Sequence, residues 1–208
     1  MSRLPILIVK TKIFGITVSV KWQFVALITF MLSLKAGNVL YALVFSLFHE
    51  IGHIVCLTAV GNKPQSITFE LTGMNICRNE NVRISLKKEM LVSFGGPFAN
   101  FILFSLFLLL FLQTESSAFQ NAASVNLILA VFNLLPVKTL DGGKILYFFL
   151  AESLSYRIAK TVLSFSSVIF ILLMIFYGFY TLYITKYNFT MLIIALMLSL
   201  SLFSNAEC

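Results

Sequence analysis

A short run in the first half of the chain, His49-Glu50-Ile51-Gly52-His53, has the residue types and spacing of a metal-dependent hydrolase. On an α-helix, residues four apart project from one face, so His49 and His53 can bind one zinc ion. Glu50, beside them, can take a proton from a zinc-bound water. The alternative is a pair of core histidines hydrogen-bonded to neighbouring helices. The apolar sequence around these groups disfavours it, because ionisable side chains at membrane depth are costly and usually mark function.

A catalytic zinc usually takes three protein ligands and keeps a fourth position for water, so the motif needs one more ligand. Asp141, in Leu140-Asp-Gly-Gly143, is the only aspartate of the chain, and the two histidines above are its only histidines. Pro136 is predicted to end or kink the helix before it, and the two glycines permit close backbone approach. A helix N-cap in a surface turn is the other interpretation of Asp141. Because HExxH lacks a third ligand, we predict that Asp141 supplies it.

The composition of the chain indicates the environment in which these residues lie. Of the 208 residues, 59% are hydrophobic and 11% are charged, whereas soluble domains carry about 25% charged residues. The apolar surplus has to face lipid, so we predict an integral membrane protein. The net charge of +7 then reflects basic cytoplasmic loops rather than nucleic-acid binding.

The apolar segments predict an all-α multi-pass membrane protein with about six transmembrane helices. A bilayer core needs roughly 17–25 residues per helix, and six segments reach or nearly reach that length, the first with possible extension to either side. They are Trp22–Leu34, Gly37–Val60, Met90–Leu112, Ala118–Leu135, Ile158–Tyr180 and Asn188–Phe203. Of the 15 lysines and arginines, only Lys35 and Lys186 fall on one side of this arrangement. Both termini are therefore predicted to be cytoplasmic. The second and fourth spans then run in the same direction, which puts Asp141 and the histidines in one half of the membrane.

The polar loop Gly61–Glu89 is predicted to form a short β-hairpin at the cytoplasmic face, between helices two and three. Gln65–Thr72 and Asn81–Ser85 alternate polar and apolar residues as strands do, and turn-forming residues lie between them. We expect one transmembrane protease domain over residues 1–208. Its catalytic core covers about 21–150, and two further helices cover about 158–203.

The pairing of HExxH in one span with an NxxP…LDGG segment after a later one resembles the site-2 protease family of intramembrane metalloproteases. The layout is most similar to the compact sporulation proteases that process a membrane-tethered pro-sigma factor. The resemblance covers roughly Lys21–Leu150. It implies one Zn²⁺ per chain held by His49, His53 and Asp141, with Glu50 as the catalytic residue. It also implies a transmembrane or membrane-anchored protein substrate, cut near the cytosolic side, and the release of a membrane-tethered regulator.

Four further residues become candidate substrate-binding residues through this resemblance. Asn133 matches a family position that engages the substrate backbone or stabilises the intermediate. Gly95, Gly96 and Asn100 lie in Gly95-Gly-Pro-Phe-Ala-Asn100, which resembles the family's GGPxxN segment. A helix-packing and kink element is the other interpretation of that segment.

The expected partners are the substrate, the lipid bilayer of a bacterial cell membrane and a regulatory membrane protein, with no nucleic acid. The sequence contains neither a PDZ insertion between spans nor a nucleotide-sensing domain after the last one, so regulation through such domains is not expected. Two other classes of function are a catalytically silent membrane adaptor of the same fold and a metal transporter. Transporters often show paired half-repeats, and the sequence has no such repeat.

Overall fold

The structure of the chain is a computed structural model. It describes residues 7–13, 16–22, 25, 29, 37–70, 73–78 and 84–203. Within these ranges the chain is mostly helical and forms four strands and six helices. In chain order they are β1 (Leu7–Ile13), β2 (Ile16–Lys21), α1 (Gly37–Ala59), β3 (Pro64–Glu70), β4 (Gly73–Arg78), α2 (Leu86–Thr114), α3 (Ser117–Asn133), α4 (Asp141–Ser153), α5 (Tyr156–Thr185) and α6 (Thr190–Phe203).

The strands form one mixed sheet in the order β1-β2-β3-β4. The outer pairs, β1–β2 and β3–β4, are antiparallel. The central pair, β2–β3, is parallel, with Thr17 opposite Ser66 and Val20 opposite Phe69. Parallel neighbours need a long crossover connection, and here the connection contains α1. Strand β4 is thus an edge of the described sheet, directly ahead of α2 in the chain.

The described residues form a β-hairpin between α1 and α2, but its second strand is not the predicted one. Strand β3 coincides with the predicted Gln65–Thr72, and its partner is Gly73–Arg78 rather than Asn81–Ser85. Residues 81–83 lie outside the described ranges, and Ile84 and Ser85 form no strand. Gly73 and Asn75 suggested a turn, because glycine and asparagine are depleted in strands. Cross-strand pairing with β3 overrides that preference, so Gly73 and Asn75 lie in β4, opposite Glu70 and Thr68.

The hairpin β1–β2 was not predicted, so the fold contains more sheet than an all-α description with one hairpin allows. The signal was available in Ile16-Thr-Val-Ser-Val20, where β-branched residues alternate with small polar ones. No element was predicted for that segment. The predicted first span itself, Trp22–Leu34, falls almost entirely outside the described residues.

The other five predicted spans coincide with α1, α2, α3, α5 and α6. Three described stretches are long and apolar enough to cross a membrane: Leu40–Ala59, Leu86–Thr114 and Tyr156–Thr185. Helix α3 has 17 residues and α6 has 14, so their crossing stays a prediction. The bundle presents large apolar side chains outward, with Phe176 75% and Phe165 69% exposed on α5. Such a surface suits lipid contact.

Helix α2 is central among the described helices, because it packs against α1, α3 and α4, while α5 packs on α4 and α6 on α5. The α1–α2 crossing is very close. A Cβ atom at Gly95 would lie 2.6 Å from the backbone oxygen of Gly52. Only glycine on both helices allows this approach, which brings the HExxH segment of α1 against the first half of α2.

The loop between α3 and α4 is anchored on α5. Val137 and Leu140 form a buried apolar cluster with Ile171 and Leu198. Ser166 Oγ donates to the backbone oxygen of Pro136 at 2.8 Å. These contacts fix the point at which α4 begins.

Candidate metal centre

The structure brings together the three side chains that were predicted to bind metal. His49 and His53 lie one turn apart on α1, and Asp141 is the first residue of α4. Oδ2 of Asp141 lies 2.9 Å from Nε2 of His49 and 3.0 Å from Nε2 of His53. The two Nε2 atoms are 3.2 Å apart. All three residues are buried, and they form the one such potential metal-binding group found among the described residues.

Hydrogen bonds on the far side of each imidazole determine which nitrogen faces the centre. Nδ1 of His49 donates to Oδ1 of Asn100 at 2.6 Å, and Nδ1 of His53 donates to the backbone oxygen of Val92 at 2.8 Å. Carbonyl oxygens only accept, so the proton of each neutral ring lies on Nδ1. Each Nε2 therefore carries a lone pair. This arrangement is usual for metal-binding histidines.

The donor set fits a zinc ion. Two lone pairs and a carboxylate oxygen within about 3 Å of one another repel unless a cation lies between them. Zinc favours imidazole nitrogen and carboxylate oxygen at about 2.0–2.1 Å in a tetrahedron, which separates neighbouring ligand atoms by roughly 3.3 Å. The observed separations of 2.9, 3.0 and 3.2 Å are close to that value.

The second oxygen of Asp141 has a partner of its own. Oδ1 accepts from Nζ of Lys144 at 2.9 Å, one helical turn along α4. Burial opposes ionisation of the Asp141 carboxyl, but the Lys144 ammonium beside Oδ1 lowers its pKa and favours the carboxylate. The group is thus a carboxylate. Lys144 had been treated only as a basic loop residue, although its i, i+3 spacing from Asp141 would have indicated the pair.

The two glycines after Asp141 allow α4 to begin close to the preceding loop. A Cβ atom at Gly142 would overlap the backbone oxygen of Leu134, and one at Gly143 would overlap that of Val137. Asp141 is 4% exposed, and its carboxylate faces the imidazoles and Lys144. The alternative of an N-cap in a surface turn is therefore wrong, since the residue is neither at the surface nor a cap.

The three ligands lie at one wall of a pocket of about 520 Å³, which Glu50 also lines. Asn133, at the end of α3, lines the same pocket. At its polar side, Nη1 of Arg78 on β4 contacts Oε2 of Glu89 on α2 at 2.6 Å. The pocket is bounded by polar groups near the ligands and by apolar ones beyond them; the apolar lining residues are Leu57, Ile76, Val92, Leu129, Leu140 and Phe148.

The other predicted substrate-binding residues are not among the residues that line the pocket, and they pack against α1 and its two imidazoles. Gly95 packs on Gly52, and a Cβ atom at Gly96 would overlap Nε2 of both histidines. Asn100 is bonded to His49. Nδ2 of Asn133 donates one of its two N–H groups to the backbone oxygen of Leu129 at 3.0 Å. The second N–H and the carboxamide oxygen can serve other partners. A role in substrate binding stays a prediction for all four.

Comparisons with known proteins show what the chain is similar to. Residues 112–176 match the model of peptidase family M50. The chain is 31% identical over 120 residues to "Putative zinc metalloprotease Rip3" of Mycobacterium tuberculosis, in strains Erdman and H37Rv. That match covers 54% of this chain and 30% of the relative, so the chain spans less than a third of the relative's length.

The fold is also similar to that of a solved structure, the site-2 protease from Methanocaldococcus jannaschii. The TM-score is 0.67, the sequence identity is 20%, and the match covers 91% of each chain. The resemblance to site-2 proteases indicated by the HExxH and LDGG motifs is therefore confirmed.

Proposed function

We propose that this chain is an intramembrane zinc metalloendopeptidase of the site-2 protease family. Its substrates are transmembrane or membrane-anchored proteins, cut near the cytosolic side. The observation that supports the proposal most directly is a set of short distances. The candidate ligand atoms of His49, His53 and Asp141 lie 2.9 to 3.2 Å from one another. They meet inside a bundle of apolar helices, where groups of this kind are costly unless they serve a function.

The residues of the pocket have different roles in the proposed reaction. Zinc held by the three ligands would polarise the scissile carbonyl and lower the pKa of the attacking water. Glu50 accepts the proton of that water and later delivers it to the leaving amine. Asn133, which lines the same pocket, donates to the substrate backbone or to the oxygen on which negative charge develops.

The edge strand β4 is suited to hold the substrate in the extended form that cleavage requires. A helical substrate hides its peptide bonds, so it must unwind before hydrolysis. Ile76 and Arg78 of β4 line the pocket, and β4 has β3 on one side only in the described sheet. An unwound segment can therefore pair with the free side of β4 by strand addition.

The setting of the reaction follows from the distribution of charge. The basic loops lie on the cytoplasmic side, so both termini face the cytoplasm and water reaches the site from there. The chain works as a single transmembrane domain in a bacterial cell membrane. Its product is a membrane-tethered regulator set free, as with the sporulation proteases that it resembles, and a membrane partner regulates the cut.

The test is Glu50→Gln in cells that express the enzyme with a membrane-tethered candidate substrate, followed by cleavage and by zinc content of the purified protein. We expect cleavage to fall by at least ~100-fold, since general-base catalysis contributes about 10²–10⁴-fold, while zinc is retained. Glu115→Gln is the matched control, because Glu115 is an exposed carboxylate at the far end of α2. Cleavage that persists in Glu50→Gln would sink the mechanism.

The same preparations separate the two alternative functions. If the protein is a silent adaptor, the wild-type protein will bind membrane proteins and will not cleave them. A metal transporter would move Zn²⁺ into proteoliposomes and would not cleave. Either result would contradict the proposed function.

A further inference from the structure

We propose that Asn126, on α3, determines which nitrogen of His49 carries the proton, and that it does so through Asn100. Asn126 is thus a positioning residue of the metal centre. The inference rests on the proposed function, since it concerns the same three ligands. Its basis is a chain of hydrogen bonds in which every link has only one possible direction.

This series of hydrogen bonds begins at a backbone carbonyl of α3. The oxygen of Ala122 can only accept, and it lies 2.9 Å from Nδ2 of Asn126, which must be the donor. With its nitrogen held there, the carboxamide of Asn126 turns Oδ1 toward α2. That oxygen accepts from Nδ2 of Asn100 at 2.9 Å.

The orientation of Asn126 then fixes the orientation of Asn100. Nδ2 of Asn100 is used by Asn126 and also donates to the backbone oxygen of Phe45 at 3.4 Å. Oδ1 of Asn100 is therefore the atom that faces Nδ1 of His49, at 2.6 Å. An amide oxygen has no proton to give, so Nδ1 of His49 must carry one. Nε2 is left with the lone pair that a metal needs.

Because the two carboxamides are buried, each depends on the other for a hydrogen-bond partner. Asn100 and Asn126 are both 0% exposed, so bulk water cannot replace a lost partner, and an unsatisfied buried amide is costly. If Oδ1 of Asn126 were removed, Asn100 could rotate and present Nδ2 to His49. The imidazole would then carry its proton on Nε2, where it opposes metal binding.

His53 does not need such a relay. Its Nδ1 donates to the backbone oxygen of Val92, an acceptor that cannot exchange with a donor by rotation. The two histidines are therefore fixed by different means: His53 by the main chain of α2, and His49 by a side-chain relay that ends on α3. Substitution at Asn126 should act on His49 alone.

The experiment measures Zn²⁺ affinity of the purified, full-length protein in detergent by competition with a chromophoric chelator. Asn126→Leu removes both amide atoms at similar volume and is expected to weaken affinity by about tenfold or more, as loss of such outer partners of ligands does. In Asn126→Asp, the protonated carboxyl at this buried position can still donate to the Ala122 oxygen and accept from Asn100, so affinity should remain close to wild type. The visible absorption spectrum of the Co²⁺-loaded protein should change in Asn126→Leu only.

Asn121→Leu is the matched control, because it makes the same change at an exposed position of the same helix, and it should leave Zn²⁺ affinity unchanged. If Asn126→Leu does not fold, Asn126→Ala, which also removes both amide atoms, replaces it. Unchanged affinity in the apolar variant would overturn the relay, and so would an equal loss in Asn126→Leu and Asn126→Asp. A wild-type protein without measurable Zn²⁺ affinity would instead contradict the proposed function.

Discussion

At the scale of single residues, the three candidate metal ligands could be predicted from the sequence, and the groups that orient them could not. His49 and His53 follow from helical spacing, which is local, and Asp141 follows from being the only aspartate. The bond from Nδ1 of His49 to Asn100 depends on how α2 crosses α1, which no local pattern specifies. Asn100 was predicted from family resemblance as a substrate-binding residue, which stays a prediction, and its contact with His49 was not predicted.

The absence of a side chain at Gly96 leaves room for the two imidazoles. The two imidazoles occupy the space that a Cβ atom at Gly96 would fill, so Gly96→Ala must displace a ring or α2. We expect this variant to lose about 1–3 kcal/mol of stability through overpacking and to bind zinc more weakly than wild type. Thermal unfolding and chelator competition on the purified protein measure the two effects.

Gly178→Ala provides the comparison for that prediction. A Cβ atom at Gly178 would meet the side chain of Leu192 at 2.8 Å, at the contact of α5 with α6. This variant is expected to affect stability without changing zinc affinity. Equal zinc affinity in Gly96→Ala and wild type would show that the ring positions do not depend on Gly96.

At the scale of elements, the α1–α2 crossing holds the histidines against their partners on α2. The contact is backbone to backbone at Gly52 and Gly95. We expect Gly52→Leu to separate the two helices and lower the thermal midpoint, because overpacking a tight contact costs about 1–3 kcal/mol or more. Zinc affinity should fall with it, since Asn100 and Val92 both lie on α2.

The neighbouring residue of α1 supplies the control for the crossing. Ile51 is 48% exposed, so Ile51→Ala removes an apolar side chain from the outer face and should leave the midpoint and zinc affinity near wild type. A Gly52→Leu protein as stable as wild type would mean that the helices do not need this approach.

The strands show where local patterns were insufficient. The first strand of the β3–β4 hairpin was predicted from its alternation, whereas the second was displaced, because Gly73 and Asn75 resemble turn residues. The parallel pairing of β2 with β3 joins residues far apart in the chain, such as Val18 and Ile67. Such pairing is set by the whole fold, so the position of β2 beside β3 could not be predicted, although the alternation of β2 is visible in the sequence.

At the scale of the whole molecule, composition predicted most of the architecture. Five of the six described helices coincide with predicted apolar segments, because a bilayer sets a helix length for which the sequence can be searched. Helix α4, with 13 residues, was not predicted. The sheet, with its polar alternating strands, gave a weaker signal. The orientation of the termini and the number of membrane crossings remain predictions that rest on the distribution of Lys and Arg.

The zinc content of the purified chain tests the central claim most directly. Elemental analysis should give close to one zinc per wild-type chain and far less for Asp141→Asn, which replaces the anionic ligand by a neutral one of the same shape. Glu152→Gln, which removes a carboxylate from the other end of α4, should keep the wild-type content. A wild-type protein without zinc, or an Asp141→Asn protein with as much zinc as wild type, would contradict the account.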